Sequence, residues 1–250
     1  MRLNSKITPT ARQVAAALNI DPARLRGSGL DGRVRKIDVL AAANGHTATT
    51  RPAPAVQQLA IALHWPLPQA LTAVEVDMSA VAAYRARYAA DFARRRLELS
   101  DLACLLAVLV RVLPAHPLLN AAWNEAGILR RRRLHVQVFD GERSGVICDA
   151  GDYTVRGMAR QLRDLAPSDE ATLSIRVLYG ARLAPEPLQV GRSAGLSLGS
   201  VTSQAVCHAE TLAIRRRAII ALNYDIRVLD QRQADQFLMS LQKQLASFAG

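Results

Sequence analysis

Apolar residues fall at helical spacing in two short runs near the start of the chain. Ala11, Val14, Ala15 and Leu18 form the first stripe. Thr8 stands where a cap belongs, and Pro9 takes the first helical position, where its missing N–H costs nothing. Asn19 and Asp21-Pro22 stop this helix. Gly27-Ser28-Gly29 and Asp31-Gly32 make a loop of residues that tolerate positive φ. A second helix is predicted from Lys36 to about Ala43, with Ile37, Leu40 and Ala41 inward and Gly45 at its end. Such a two-helix unit, residues 1–44, is near the lower size limit for independent folding. Residues 45–54 are small, polar and Pro-bearing and read as a semi-stiff linker.

From residue 55 the pattern alternates between strands and helices. Strands are predicted at Leu71–Met78, Leu134–Phe139, Ser144–Cys148, Leu173–Leu178, Ala194–Leu198 and Ala218–Leu222. The second and third of these pair across Asp140-Gly141. Helices are predicted from Ser79 to about Arg96, with an Arg-rich outer face, from Leu99 to Leu113, more buried, and from Thr154 to Leu165. The last helix, Gln231–Phe248, places Ala234, Leu238, Leu241, Leu245 and Phe248 at helical period. This alternation argues a layered α/β domain over residues 55–250. There is no internal repeat.

The composition sharpens this picture. The 250 residues are 50% hydrophobic and 21% charged, enough apolar content for a real core and incompatible with a disordered or collagen-like chain. The net charge of +11 is uneven. Residues 1–44 hold eight basic side chains against three acidic ones, so that segment expects an acidic partner. Cys104, Cys148 and Cys207 stand far apart, without a C-x-x-C pair. Neither a zinc ribbon nor a disulfide scaffold is indicated, and a reducing, cytoplasmic setting is expected. Residues 1–5 have no apolar run behind them, so no signal peptide is expected. Leu102–Val110, the longest apolar run, is about half of a bilayer span, so no membrane partner is expected.

Two segments resemble known families. Pro9, Arg12, Ala15, Gly27, Gly29, Gly32, Arg33, Val34, Asp38 and Val39 fit the pattern P-x-x-R-x-x-A, G-x-G, G-R-[IV]-x-x-x-D-[VI]. This resembles the peripheral subunit-binding domain of dihydrolipoamide acyltransferases. The resemblance implies docking of dihydrolipoamide dehydrogenase or another complex subunit, with Arg12, Arg33 and Arg35 as the charged contacts. Residues 55–250 are similar to the acyltransferase domain of the same proteins, which shares the chloramphenicol acetyltransferase fold, an α/β sandwich. Val76-Asp77-Met78, His116-Pro117-Leu118-Leu119-Asn120-Ala121 and Leu222-Asn223-Tyr224-Asp225-Ile226-Arg227-Val228-Leu229-Asp230-Gln231 carry that likeness. It implies a homotrimer with the active site between subunits, and coenzyme A as the thiol substrate.

The departures are informative. The family signature L-S-Y-D-H-R-x-x-D-G has a histidine as general base, and Ile226 stands there; its glycine is Gln231. Isoleucine moves no proton, and losing a positioned base costs roughly 10²–10⁴ in rate. Asp225, Arg227 and Asp230 remain, in structural roles. The family's T-I-S-N-x-G turn supplies an oxyanion hydroxyl, and its counterpart is Leu173-Ser174-Ile175-Arg176-Val177-Leu178. Arg176 falls at the serine position; Ser174 serves under a two-residue slip. The Gly- and Leu-rich segment before that turn is nearly absent between Leu165 and Ala171, and no lipoyl domain is expected before residue 1.

Other clusters read more plainly. Arg130-Arg131-Arg132-Arg133 is a solvated turn rather than a phosphate or nucleic-acid grip, since no aromatic interleaves it. Cys207-His208 lacks a third partner for nucleophilic chemistry. His116 is a packing histidine. Two readings follow. One is a non-catalytic docking and core subunit, resembling the protein X of pyruvate dehydrogenase complexes. The other is a repurposed enzyme of the same fold acting on an acyl thioester. A ligand tunnel lined by His116, His135, His208 or carboxylates would favour the second.

Overall fold

The computed structural model describes residues 7–18, 20–22, 25, 27–29, 32–43, 67–208 and 211–250, without the side chains of 41, 43, 208 and 211. The expected linker 45–54, Asp31 and the His208 side chain lie outside the described residues. The chain divides into two compact units, Met1–Trp65 and Pro66–Gly250.

In the first unit, α1 spans Pro9–Ala17 and α2 spans Lys36–Ala43. Thr8 caps α1 through its hydroxyl, which accepts from the Ala11 N–H. A parallel bridge between Ile7 and Val34 sets the starts of the two helices side by side. Ala11, Ala15, Val34 and Val39 form the small core. Val39, rather than Leu40, is the inward residue of α2: Leu40 is exposed. The loop between the helices needs its glycines. A Cβ on Gly27 would lie 2.2 Å from the Gly32 carbonyl oxygen, and Gly32 itself has φ +71°.

The second unit is a seven-stranded sheet with helices. Its strands are β1 (Gln69–Asp77), β4 (Val136–Asp140), β5 (Arg143–Ile147), β6 (Leu173–Val177), β7 (Ala194–Leu198), β8 (Thr202–His208) and β9 (Thr211–Asp225). The order is β1-β9-β7-β6-β4-β5, with β8 joined to β9. The β4, β6 and β7 strands are parallel, and the other pairs are antiparallel. A separate hairpin joins β2 (Ala121–Asn124) and β3 (Gly127–Arg130). The helices are α3 (Ser79–Arg94), α4 (Asp101–Val112), α5 (Val155–Arg163) and α6 (Gln231–Ala246).

Strand alternation divides the sheet into two chemically different faces. Leu173, Ile175, Leu196, Leu198, Ile220, Leu222 and Tyr224 are buried in one core with α4 and α6. Along α4 every residue from Leu102 to Leu109 is buried, as its apolar run requires. The opposite sheet face carries Ser174, Arg176, Gly195, Ser197 and Asn223. Register lines up Ser174 with Gly195 and Asn223, and Arg176 with Ser197.

Most predicted elements are present, and the differences have physical causes. The strand expected at Ala218–Leu222 is the inner third of β9. Its outer part, Thr211–Arg216, has its strand register with β8 and stands off the core, so no apolar run marks it. The β2–β3 hairpin ends in Arg130, and its charge hid the strand. Helix α3 stops at Arg94, two residues early, because Arg96 turns left-handed at φ +56°. Among the described residues no helix is long and apolar enough to cross a membrane.

Candidate functional site

In the first unit one carboxylate holds the loop. Asp38 accepts the Ser28 and Arg35 N–H groups at 3.0 and 2.9 Å and also the Ser28 hydroxyl. Arg35 turns inward: it is 3% exposed and donates to the Ser28 carbonyl and hydroxyl at 2.9 and 2.7 Å. This corrects Arg35 as a docking contact, because its charge is spent inside the unit. Arg12 and Arg33 are both exposed.

In the second unit two carboxylates order the signature segment. Asp225 is 2% exposed and receives a two-pronged contact from Arg227, Nε to Oδ1 at 2.9 Å and Nη2 to Oδ2 at 2.6 Å. Arg227 lies 5.4 Å over the Trp123 ring. Asp230 caps α6: its carboxylate accepts the Gln233 N–H, and the Gln233 side chain accepts the Asp230 N–H. This reciprocal cap is a helix-start device, so Asp230 serves the fold. Ile226, between them, is 55% exposed, and its N–H donates to the Pro68 carbonyl. His116 accepts or donates a 3.1 Å bond with Ser240 Oγ and packs edge-on against Phe237. Burial pushes its imidazole below the ordinary value. It is a packing histidine, as expected.

The polar sheet face is covered by residues 178–193, the strap between β6 and β7. Arg176 Nε donates to Glu186 Oε2 at 2.5 Å, and its guanidinium lies 4.2 Å over Phe139. Glu186 is 1% exposed. Asn223 Nδ2 donates to the Glu186 carbonyl, Ser197 Oγ to the Ala184 carbonyl, and Arg131 Nη2 to the Gly191 carbonyl. Arg131 is therefore the exception in the solvated arginine run. A side chain at position 195 would meet Ser174 Oγ at 2.9 Å and Glu186 Cγ at 3.0 Å, so only glycine lets the strap close. Burial raises the Glu186 carboxyl above its ordinary 4.5; the Arg176 guanidinium, the Ser174 hydroxyl and Arg192 oppose the rise without cancelling it. Ser174 and Arg176 thus stand together on one face, and of the two Arg176 alone is bound to Glu186. They lie on β6, two strands over from β9, with Ser174 level with Asn223, three residues before Ile226. Sequence reasoning missed Glu186; a lone acid between Pro185 and Pro187 was its only signal.

A cleft of about 840 Å³ opens beyond the ends of the parallel strands. Arg85, Arg96, Arg143, Arg163 and Arg216 line it with Glu98, Asp101 and Asp140. Arg85 is committed to Asp101 at 2.8 Å, and Arg143 to the Leu162 carbonyl. No histidine is among the lining residues.

Comparison with known proteins bears on both units. Residues 5–40 match the e3 binding domain, and residues 55–166 match the 2-oxoacid dehydrogenases acyltransferase catalytic domain. The chain is thus similar, in order, to an E3-binding domain and to a 2-oxoacid dehydrogenase acyltransferase domain. It is 26% identical, over 98% of its length, to the dihydrolipoyllysine-residue succinyltransferase component of the Rickettsia bellii 2-oxoglutarate dehydrogenase complex, and covers 70% of that protein. It is 29% identical, over 96% of its length, to the acetyltransferase component of the Mycobacterium bovis pyruvate dehydrogenase complex, and spans 54% of it. The fold of the acyltransferase domain is shared with a probable dihydrolipoamide acetyltransferase from Listeria monocytogenes. The TM-score is 0.69 at 21% identity, covering 73% of this chain and 86% of the other. It is shared also with the cubic core of a pyruvate dehydrogenase complex, at TM-score 0.68 and 19% identity, covering 72% and 82%. The acyltransferase match ends at residue 166. Arg176, Ile226 and Gln231, the three substituted positions, all lie beyond it.

The raised Glu186 carboxyl gives a signed prediction. A group whose folded value is raised favours the folded state while protonated; that contribution is lost as pH rises through the folded value. Glu186→Gln carries no such titration. Wild type should therefore lose stability relative to Glu186→Gln as pH rises from below 4.5 to neutrality, read by urea unfolding across a pH series. A difference that stays flat would show that burial does not govern this carboxyl.

Proposed function

We propose that this chain is a docking and core-forming subunit of a 2-oxoacid dehydrogenase complex that does not carry out the acyl transfer of its family. The observation that carries this reading is Ile226 at the position of the family base. Its neighbours offer no substitute: Asp225 is buried against Arg227 and Asp230 caps α6. At the oxyanion position Arg176 is bound to Glu186 instead of presenting a hydroxyl. The docking partner in this reading is dihydrolipoamide dehydrogenase, met by the exposed Arg12 and Arg33. Three free thiols suit a cytoplasmic, reducing setting.

The assembly proposed is a homotrimer. The β8–β9 hairpin supports it: Leu212 and Ile214 on its outer half are 79% and 76% exposed. Side by side on one strand face, they suit cover by a second copy.

One observation favours a second reading, a repurposed enzyme. The arginine-lined cleft would suit an anionic substrate, such as the phosphates of a coenzyme A thioester. Its carboxylates Glu98 and Asp140 are then the acid–base groups available.

Two outcomes test the first reading. Titration calorimetry of the whole chain with dihydrolipoamide dehydrogenase should show binding that weakens with salt and falls by at least about tenfold in Arg33→Glu. Equal affinity of both proteins would remove Arg33 from the interface. Light scattering at micromolar concentration should give a trimer, and Leu212→Asp with Ile214→Asp should dissociate it. A monomeric wild type would contradict the core-forming role.

A further inference from the structure

We propose that His135, Cys148 and Glu170 bind one divalent transition metal ion of the zinc class. The three residues come from separate segments. His135 precedes β4, Cys148 follows β5, and Glu170 lies in the loop leading to β6. Pairing of Val136 with Ile147 sets His135 and Cys148 opposite each other, and pairing of Val136 with Leu173 brings the Glu170 loop alongside. One donor atom of each lies within 4.8 Å of the other two. Tetrahedral zinc bonds of ordinary length place nitrogen and sulfur donors about 3.5 Å apart. The trio therefore needs an inward movement of roughly an ångström.

The histidine is fixed for such a role. It is 6% exposed. Its N–H donates to Thr172 Oγ1 at 3.0 Å, and its carbonyl accepts the Thr172 N–H at 2.8 Å. Ring Nδ1 accepts the Asp149 N–H at 3.2 Å, so a lone pair faces the segment carrying Cys148. That bond is long, and a metal at Nδ1 would replace it.

The Cys148 thiol is half-buried and unoxidised, within reach of the other two donors. A bound metal would displace the proton to solvent and leave a thiolate ligand. Nitrogen, sulfur and a single carboxylate suit zinc and exclude magnesium or calcium, which take oxygen ligands. With three protein donors, water completes the tetrahedron. The metal would tie the loop before β6 to the β4–β5 edge.

The test uses the full chain, reduced, titrated with Co²⁺ as a visible substitute for zinc. Wild type should bind one equivalent with a thiolate-to-cobalt absorption band, bleached by Zn²⁺. Cys148→Ser should abolish the band, and Cys207→Ser, on exposed β8, should leave it unchanged. Glu170→Gln alters only an exposed side chain and should weaken binding by about tenfold or more. Zn²⁺ should raise the unfolding temperature of wild type but not of Cys148→Ser. Absence of the band in wild type, or its survival in Cys148→Ser, would overturn the site.

Discussion

The acyltransferase-like unit depends on how it disposes of one buried charge. Glu186 sits on the polar face of the sheet at 1% exposure, and an isolated carboxylate there would be costly to bury. Arg176 meets it from β6, so the strap of residues 178–193 can close over β6, β7 and β9. The surrounding choices follow from that contact. Gly195 leaves room for it, Asn223 holds the Glu186 backbone, and Ser197 anchors Ala184. Loss of one partner from such a pair strands the other, which makes the interaction a determinant of shape more than of net stability.

The same economy runs through the rest of the signature segment. Asp225 is used by Arg227, and Asp230 by the start of α6. Asn223 is held by Gln69 and the Glu186 carbonyl, and the position of the signature histidine is an exposed isoleucine. In the first unit the division of labour is sharper. Asp38 and Arg35 are consumed in closing the Gly27–Gly32 loop, which leaves Arg12 and Arg33 to carry charge outward. A docking surface built on a very small core needs that loop to be rigid, and a single carboxylate with three donors supplies the rigidity.

Much of this was legible in the sequence because local rules acted alone. Thr8-Pro9 marked a helix start, Gln231 onward had a clean helical period, and Asp140-Gly141 marked a hairpin. The elements that escaped, β2, β3, β8 and the outer half of β9, are those whose stability comes from pairing rather than from an apolar face. Leu40 was misplaced because α2 has too few turns for its stripe to be distinct. At the site, Arg176 and Ile226 were identifiable as departures from a pattern. Glu186 was not, since its role exists only once the strap has folded back. Arg35 failed for the same reason: exposure is a property of the loop closure, and the motif carries no sign of it.

In the proposed reading, what would separate this chain from a working acyltransferase is chemistry at fixed positions on a shared fold. The most direct measurement is acyl exchange between acetyl-coenzyme A and free dihydrolipoamide, followed by thioester absorbance, for wild type and Ile226→His. The account predicts no transfer by either protein. The histidine would restore a base, but Arg176 would remain bound to Glu186 where a hydroxyl is required. Steady turnover by wild type would contradict the account outright. Turnover restored by Ile226→His alone would show that the Arg176–Glu186 pair leaves the oxyanion position functional.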